Sequence, residues 1–112
     1  MAGHFELSKA KNGQYTFVLK AGNGETILRS EQYEAKPSAT NGIASVQSNC
    51  ANEERYERKD SSDGRCYFNL KAGNHQIIGT SQMYKSAASR DDGIASVKNN
   101  GVSTTVKDVT AG

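Results

Sequence analysis

The second half of this 112-residue chain repeats the first half at a constant offset of 51 residues, with residue 5 aligned to residue 56. Residues 5–52 match residues 56–103 without a gap, and the best-preserved matches are Lys20-Ala-Gly-Asn with Lys71-Ala-Gly-Asn and Gly42-Ile-Ala-Ser-Val with Gly93-Ile-Ala-Ser-Val. A regular period of this length indicates one supersecondary unit used twice. Because a unit of about 50 residues buries too little surface to be stable alone, we expect the two copies to share one core.

The composition indicates a small domain with a modest core. Hydrophobic residues make up 35% of the chain and the mean hydropathy is −0.72. The 14 basic and 12 acidic residues give a net charge of +2, which is too balanced to require a nucleic-acid partner. No segment approaches the roughly 20 apolar residues of a membrane span, and the N-terminus lacks the features of a signal peptide. We therefore expect a cytoplasmic protein, in which Cys50 and Cys66 are free thiols.

Alternation of apolar and polar residues predicts three strands in each copy. In the first copy, Asn12-Gly13 is a strong hairpin signal because a type I′ turn needs positive φ at both central residues. A second glycine-rich turn at 22–24 leads into the third strand. The strands predicted from this pattern are 5–8, 15–20 and about 25–30 in the first copy, and about 65–72 and 76–81 in the second.

After the strands of each copy, the apolar residues recur at the spacing of one face of a helix, which predicts one helix in each copy. Pro37 falls in the first turn of the first helix, where a helix tolerates proline. The second helix is predicted over about 86–100, with Ser86 as its N-cap. The apolar stripe of the first helix consists of Ala39, Ile43, Val46 and Cys50.

The connections between the units complete a β-β-β-α-β plan used twice. The charged segment 53–60 is predicted to be one continuous strand that closes the first unit and opens the second. The last strand is predicted at 102–106, and 107–112 is expected to fray. These features predict an α+β fold in which two tandem repeats, related by a pseudo-two-fold axis, form one antiparallel sheet with both helices on one face and exchanged C-terminal strands. The predicted single domain covers 1–112, with repeats at about 5–55 and 56–109.

Over roughly residues 2–108 the chain resembles the YegP-like family of small bacterial and archaeal proteins. The residues that carry this resemblance are Phe5-Glu-Leu-Ser, Phe17-Val-Leu-Lys-Ala-Gly-Asn with its copy from Phe68, and the two Gly-Ile-Ala-Ser-Val segments. The resemblance implies tandem β3-α-β units in a single sheet with swapped C-terminal strands. It implies no established activity and supplies no catalytic residues.

Two repeated motifs each allow a structural and a chemical interpretation. The glycine of Lys-Ala-Gly-Asn could serve a hairpin turn or expose backbone N–H groups to a phosphate, although a Walker loop would open a helix and here a strand follows. Gly42 and Gly93 lie inside predicted helices, where glycine costs about 1 kcal/mol relative to alanine. They could let the helices approach Phe17 and Phe68, or let a ligand approach the helix backbone.

The residue types used in catalysis and metal binding do not converge in the sequence. His4 and His75 are not equivalent in the repeat, and neither can be paired with a serine or cysteine nucleophile. The adjacent carboxylates Glu53-Glu54 would point to opposite faces of a strand, and Asp91-Asp92 would lie on a solvated helix surface. We therefore predict no catalytic, cofactor-binding or metal-binding residues.

The uncovered face of the predicted sheet is the candidate interaction surface. If Phe17, Phe68 and their neighbours face the helices, alternation sends the intervening side chains the other way. Apolar groups rimmed by charge can mark a contact surface, but scattered β-branched and aromatic residues are also ordinary on a sheet. The predicted interaction face consists of Val18, Lys20, Leu28, Tyr67, Asn69, Lys71 and Ile77.

The sequence therefore favours a non-enzymatic cytoplasmic binding or structural module with an unknown macromolecular partner and no membrane association. The alternative is binding of single-stranded nucleic acid through the open sheet face, where Tyr67 could stack on bases and lysines could contact phosphates. An enzyme is a third and weaker hypothesis. We expect a monomer, for which strand exchange between chains would offer a route to a swapped dimer.

Overall fold

The structure is a computed structural model that describes residues 3–110. In chain order these residues form β1 (His4–Lys9), β2 (Tyr15–Lys20), β3 (Thr26–Ser30), α1 (Lys36–Asn49), a 3-10 helix (Glu53–Arg55), β4 (Tyr56–Asp60), β5 (Cys66–Lys71), β6 (Ile77–Thr80), α2 (Ala87–Asn100) and β7 (Val106–Asp108). The strands join in one sheet in the order β4-β5-β6-β3-β2-β1-β7. The two repeats meet where β3 pairs with β6, so the predicted α+β plan of two tandem units in one sheet is confirmed.

The predicted exchange of terminal strands is also confirmed. β7 follows α2 of the second repeat and pairs with β1 of the first, whereas β4, which closes the first unit and opens the second, follows α1 and pairs with β5. The pairing of β7 with β1 is parallel, so β7 runs in the opposite direction to β6, the strand that precedes α2. The sheet is therefore mixed, and the prediction of a wholly antiparallel sheet is wrong at this edge.

Two predicted strand boundaries are wrong. Residues 53–55 form a turn of 3-10 helix, since the Asn52 side chain accepts a hydrogen bond from the Glu54 N–H at 3.0 Å, and the strand begins only at Tyr56. The last strand begins at Val106 and includes Lys107 and Asp108, which were expected to fray. An ion pair between Asp108 and Lys36 of α1 links this strand to the helix layer. Residues 111 and 112 lie outside the described residues.

Both helices pack on the same face of the sheet and share one continuous core. Phe5 and Phe17 from the first repeat and Phe68 from the second are completely buried, together with the predicted stripe of α1. Ser86 caps α2 by accepting a hydrogen bond from the Ser89 N–H at 3.1 Å, as predicted. The helices therefore leave the opposite face of the sheet uncovered.

A β-bulge in each repeat shifts the alternation of the third strand. Leu19 pairs with Leu28 but Lys20 pairs with Thr26, which leaves Ile27 as an extra residue. Ile27 and Leu28 are therefore both buried, with 4% and 1% exposure. The prediction that Leu28 belongs to the uncovered face is wrong, because it assumed regular alternation through the bulge.

Equivalent positions of the two repeats meet near the pseudo-two-fold axis, and at two such pairs one member is glycine. A Cβ atom added to Gly79 would lie 2.9 Å from Cγ of its equivalent, Leu28. A Cβ atom added to Gly101 would lie 2.8 Å from Sγ of its equivalent, Cys50. Each of these contacts has room for one side chain only. Glycine therefore stands in the second copy where Leu28 and Cys50 stand in the first.

The glycines inside the helices allow close packing against tyrosines. A Cβ atom on Gly42 would lie 2.6 Å from the Tyr33 hydroxyl and 2.8 Å from Cε2 of Phe17. On Gly93 it would collide with the Tyr84 hydroxyl. The packing interpretation is thus supported for both glycines. Phe17 is a partner of Gly42 as predicted, and at Gly93 the three nearest atoms all belong to Tyr84, whose ring stacks on Phe68.

Four hairpin turns place a residue in the left-handed region, and in one of them that residue is not glycine. Gly13, Gly24 and Gly64 have φ near +85°, whereas His75, the equivalent of Gly24, has φ +68°. A residue with a Cβ atom costs about 1 kcal/mol or more in this conformation.

We therefore expect His75→Gly to raise the free energy of unfolding by about 1 kcal/mol. Urea denaturation followed by circular dichroism measures this change. The matched reverse substitution, Gly24→His, should lower the free energy of unfolding by a similar amount. A destabilised His75→Gly protein would show that the imidazole contributes more than its backbone conformation costs.

Candidate interaction face

The uncovered side of the sheet is defined by strand register. One row of side chains crosses all the described strands at the same level, and it consists of Lys107, Glu6, Val18, Arg29, Thr80, Asn69 and Glu57. Neighbouring rows add residues from the same strands by alternation. We call the resulting surface the open face. It comprises His4, Glu6, Ser8, Thr16, Val18, Lys20, Thr26, Arg29, Glu57, Lys59, Tyr67, Asn69, Lys71, Ile77, Thr80 and Lys107.

The register places six of the seven predicted face residues on the open face. Val18, Lys20, Tyr67 and Lys71 are half-buried there. Ile77 pairs with Lys71 and is 38% exposed, at the start of β6. With Leu28 in the core, the apolar part of this surface is smaller than predicted, and polar and charged groups dominate it.

Each of the two predicted lysines forms an ion pair, and the two pairs are equivalent in the repeats. Lys20 Nζ lies 3.2 Å from the Glu6 carboxylate, and Lys71 Nζ lies 2.9 Å from the Glu57 carboxylate. Hydrogen bonds from Lys20, and secondarily from His4, hold the pKa of Glu6 below its usual value. Those from Lys71 and then Asn69 do the same for the pKa of Glu57. Both lysines are therefore already engaged by carboxylates of the same face.

Asn69 has a structural role in the second repeat. It is only 5% exposed. Its amide nitrogen donates to the Glu57 carboxylate at 3.1 Å, and its amide oxygen accepts from the Thr80 hydroxyl at 2.8 Å. These bonds connect β4, β5 and β6 and leave little of the amide accessible to a partner.

Arg29 is the central functional candidate that the sequence analysis missed. It is exposed, and it lies next to Thr80 where the two repeats join. Its side chain makes no hydrogen bond or ion pair with any residue between 3 and 110. Regular alternation would have sent Arg29 inward, and the bulge at Ile27 reverses this. Two successive aliphatic residues directly before an arginine were the signal that could have revealed it.

Positive charge is concentrated on the open face. Within the described part of the chain, this face carries two acidic residues, Glu6 and Glu57, against the five basic residues Lys20, Arg29, Lys59, Lys71 and Lys107, whereas the whole chain is nearly balanced. Arg29, Lys59 and Lys107 are exposed. None of them forms a salt bridge within residues 3–110, and Lys59 acts on Glu57 only as a nearby charge that helps to lower its pKa. The unneutralised charge therefore lies at the centre and at both edges of the sheet.

The two cysteines are free thiols, in keeping with the sequence analysis. Burial raises the pKa of the Cys50 thiol. Desolvation, followed by the nearby Asp60 carboxyl, raises the pKa of Cys66. A reactive cysteine needs the opposite shift, because the thiolate is the nucleophile.

The predicted carboxylate pairs do not form an acidic site. Glu53 binds Lys98 at 2.7 Å and Arg58 at 2.6 Å, and Arg58 also reaches Asp91 at 3.1 Å. This network links the 3-10 helix and β4 to α2. Over residues 3–110, no three His, Cys, Asp or Glu side chains come together as a metal site would require.

The Lys-Ala-Gly-Asn segments form hairpin turns that are closed by their own side chains. Asn23 Oδ1 accepts from the Glu25 N–H at 3.0 Å, and Asn74 Oδ1 accepts from the Gln76 N–H at 3.1 Å. These contacts support the structural interpretation of the motif. In the described part of the chain, neither helix has the length and apolarity needed to cross a membrane.

Comparison with known proteins shows a repeated match to one family. The family model described as Domain of unknown function (DUF1508) matches residues 10–57 and again residues 61–108. The UPF0339 protein YegP of Escherichia coli K12 is 68% identical over 110 residues, which cover 98% of this chain and 100% of YegP. A UPF0339 protein of Shewanella oneidensis is 60% identical over 110 residues, again covering 98% and 100% of the two chains.

Two solution NMR structures share the fold. That of yegP from E. coli, a protein of unknown function, has a TM-score of 0.95 at 67% identity and covers 100% of this chain and 97% of its own. That of the UPF0339 protein SO3888 from Shewanella oneidensis has a TM-score of 0.94 at 59% identity and covers 99% and 94%. The sheet described above is therefore the fold of these relatives.

Proposed function

The chain belongs to the DUF1508 (UPF0339) family, and we propose that within this fold it is a non-enzymatic cytoplasmic binding module whose open face holds an acidic macromolecular partner. The single observation that carries the proposal is Arg29, an exposed guanidinium at the centre of the open face with no partner among residues 3–110. A guanidinium presents donors in a fixed fork that matches a carboxylate, so it suits an acidic surface.

The charges around Arg29 support the same kind of partner. Lys59 and Lys107 extend the positive surface to the two edges of the sheet, while the Glu6–Lys20 and Glu57–Lys71 pairs neutralise the area between them. Such a pattern steers an acidic partner electrostatically and fixes its register. The cysteines with raised pKa and the scattered carboxylates provide no converging catalytic set, which supports a binding role.

Binding of single-stranded nucleic acid is the second candidate, and one observation favours it. Tyr67 pairs directly with the exposed Lys59, so an aromatic ring and a cation lie side by side, as a stacking platform requires. Tyr67 is the one tyrosine or phenylalanine among the described open-face residues, and the net charge of the chain is only +2, so we rank this candidate second. It requires an affinity for mixed oligonucleotides that falls steeply with salt.

We expect Arg29→Glu to abolish binding of the partner by the otherwise folded protein. The measurement is fluorescence-detected size-exclusion chromatography of labelled protein in nuclease-treated cell extract, where the wild-type protein should elute as a larger species. Lys85→Glu makes the same charge change at an exposed residue outside the open face and is the matched control. Equal elution of the Arg29→Glu and wild-type complexes would contradict the proposal. A larger species that forms in untreated extract but not in nuclease-treated extract, together with salt-dependent oligonucleotide binding, would favour the second candidate.

A further inference from the structure

A groove of about 410 Å³ lies between α1 and the β5–β6 turn, on the helix side of the molecule and apart from Arg29. One wall comes from the first repeat, through Tyr33 and Asn41, and the other comes from the second repeat, through Asn74 and Gln76. Its volume is within the range of small-molecule pockets. The groove therefore exists only because the two repeats are packed together.

The hydroxyl group of Tyr33 is an unused hydrogen-bonding group in this groove. The ring is fixed by stacking on Phe17, with centroids 6.3 Å apart and an interplanar angle of 9°, and by the absence of a side chain at Gly42. No described residue hydrogen-bonds to the hydroxyl. Burial, and secondarily the Glu31 carboxylate, raise the pKa of Tyr33. The hydroxyl thus stays protonated and can both donate and accept.

The remaining lining defines the chemistry of a ligand. Three amide side chains, two serines and one carboxylate surround apolar groups that include Ala72 and Ile78. Among the described residues that line the groove, none is lysine, arginine or histidine, so an anion would find no compensating charge. A balanced set of donors and acceptors beside apolar groups suits a molecule with many hydroxyl groups and exposed C–H groups.

We propose that this groove binds a small, neutral, polyhydroxylated molecule of about monosaccharide size. Tyr33, Asn41, Asn74 and Gln76 hydrogen-bond its hydroxyl groups, and Glu31 accepts one further hydroxyl. Ala72 and Ile78 contact its C–H groups. This proposal does not depend on the proposed open-face partner. A negative sugar titration would not count against that partner, and loss of that partner would not count against sugar binding.

The repeat supplies matched controls for this site. Tyr84, Asp92 and Glu25 are the equivalents of Tyr33, Asn41 and Gln76 in the other copy. The groove near that end has a volume of about 350 Å³, is lined by Glu25, Thr26, Leu28, Arg29 and Gln82, and has no lining residue from α2. This second groove carries both a negative charge, at Glu25, and a positive charge, at Arg29, and neither α1 nor α2 forms one of its walls. It should therefore not bind the same ligand.

The test is a titration of ¹⁵N-labelled protein with D-glucose and D-ribose, with putrescine and inorganic phosphate as charged comparison probes. We expect saturable amide shifts at Asn41, Gly42, Asn74 and Gln76 with at least one sugar, and none at the equivalent residues of the other copy. Asn41→Leu should abolish the shifts, whereas Asp92→Leu should leave them unchanged. Both residues are exposed, so both variants should remain folded.

Tyr33→Phe should weaken sugar binding by about 2- to 10-fold, the value of one hydrogen bond, and Tyr84→Phe should have no effect. Absence of saturable shifts with both sugars would overturn the proposal. So would saturation by putrescine or phosphate in their place, or equal effects of Asn41→Leu and Asp92→Leu.

Discussion

Gly79→Leu is expected to lower the free energy of unfolding by about 3 kcal/mol, because the new side chain would enter space that Leu28 already fills. A Cβ atom at residue 79 lies 2.9 Å from Leu28 Cγ and 2.8 Å from the Arg29 carbonyl oxygen. Leu28→Gly alone should cost about 3–5 kcal/mol, since it leaves a cavity in the core. Urea denaturation measures both changes.

The double variant Leu28→Gly, Gly79→Leu distinguishes this account from simple loss of packing. It moves the leucine across the pseudo-two-fold axis to the equivalent position, where it fills the same space from the other side. We therefore expect the double variant to lose less stability than the sum of the two single losses, while the close contact of the new Cβ atom with the Arg29 carbonyl oxygen remains. Additive losses would show that the two positions do not share one space.

Gly93→Ala is expected to lower the free energy of unfolding by about 1–3 kcal/mol, although alanine is favoured over glycine in a helix by about 1 kcal/mol. The reason is steric, because the added methyl group would collide with the Tyr84 hydroxyl and approach its Cζ to 2.6 Å. Thermal unfolding followed by circular dichroism reports the change.

Removal of the hydroxyl provides the control for Gly93→Ala. Tyr84→Phe alone should change stability little, since no described residue hydrogen-bonds to that hydroxyl, but in the Gly93→Ala background it should restore part of the loss. Gly42→Ala should be destabilising for the same reason, through Tyr33 and Phe17. A Gly93→Ala protein more stable than wild type would contradict close packing of the helix on the tyrosine.

The features that recur with a regular period were predictable from the sequence. Alternation located the three strands of each repeat, and the helical stripe from Ala39 to Cys50 located α1, since each pattern reports which side chains are buried. The charged segment that follows α1 correctly indicated that the repeats exchange terminal strands. Regular secondary structure and topology were thus accessible because local patterns and global packing agree.

The features that the sequence did not reveal are local departures from regularity. The bulge at Ile27 turns Leu28 inward and Arg29 outward, which alters both the core and the candidate site. The tyrosines beside the helix glycines follow the third strands and are positioned by isolated bridges, Tyr33 to Tyr15 and Tyr84 to Cys66. No periodic signal encodes these contacts, because they depend on how the chain bends after the strand ends.

The polar character of the open face also needed the register. The sequence showed Lys20 and Lys71 on this side but not that Glu6 and Glu57 neutralise them, because those carboxylates are 14 residues away in each case. The unpaired charge therefore lies elsewhere than predicted, at Arg29 and at the two sheet edges. This difference shifts the proposal from an apolar contact surface to an electrostatic one.

The amide spectrum of ¹⁵N-labelled protein, compared between buffer and nuclease-treated cell extract, shows whether the open face is the binding surface. We expect selective broadening at residues 16–20, at Arg29 and at residues 67–71, with the amides of Ala87–Asn100 unchanged. An unchanged spectrum, or broadening confined to the helix side, would contradict the assignment of the open face as the binding surface.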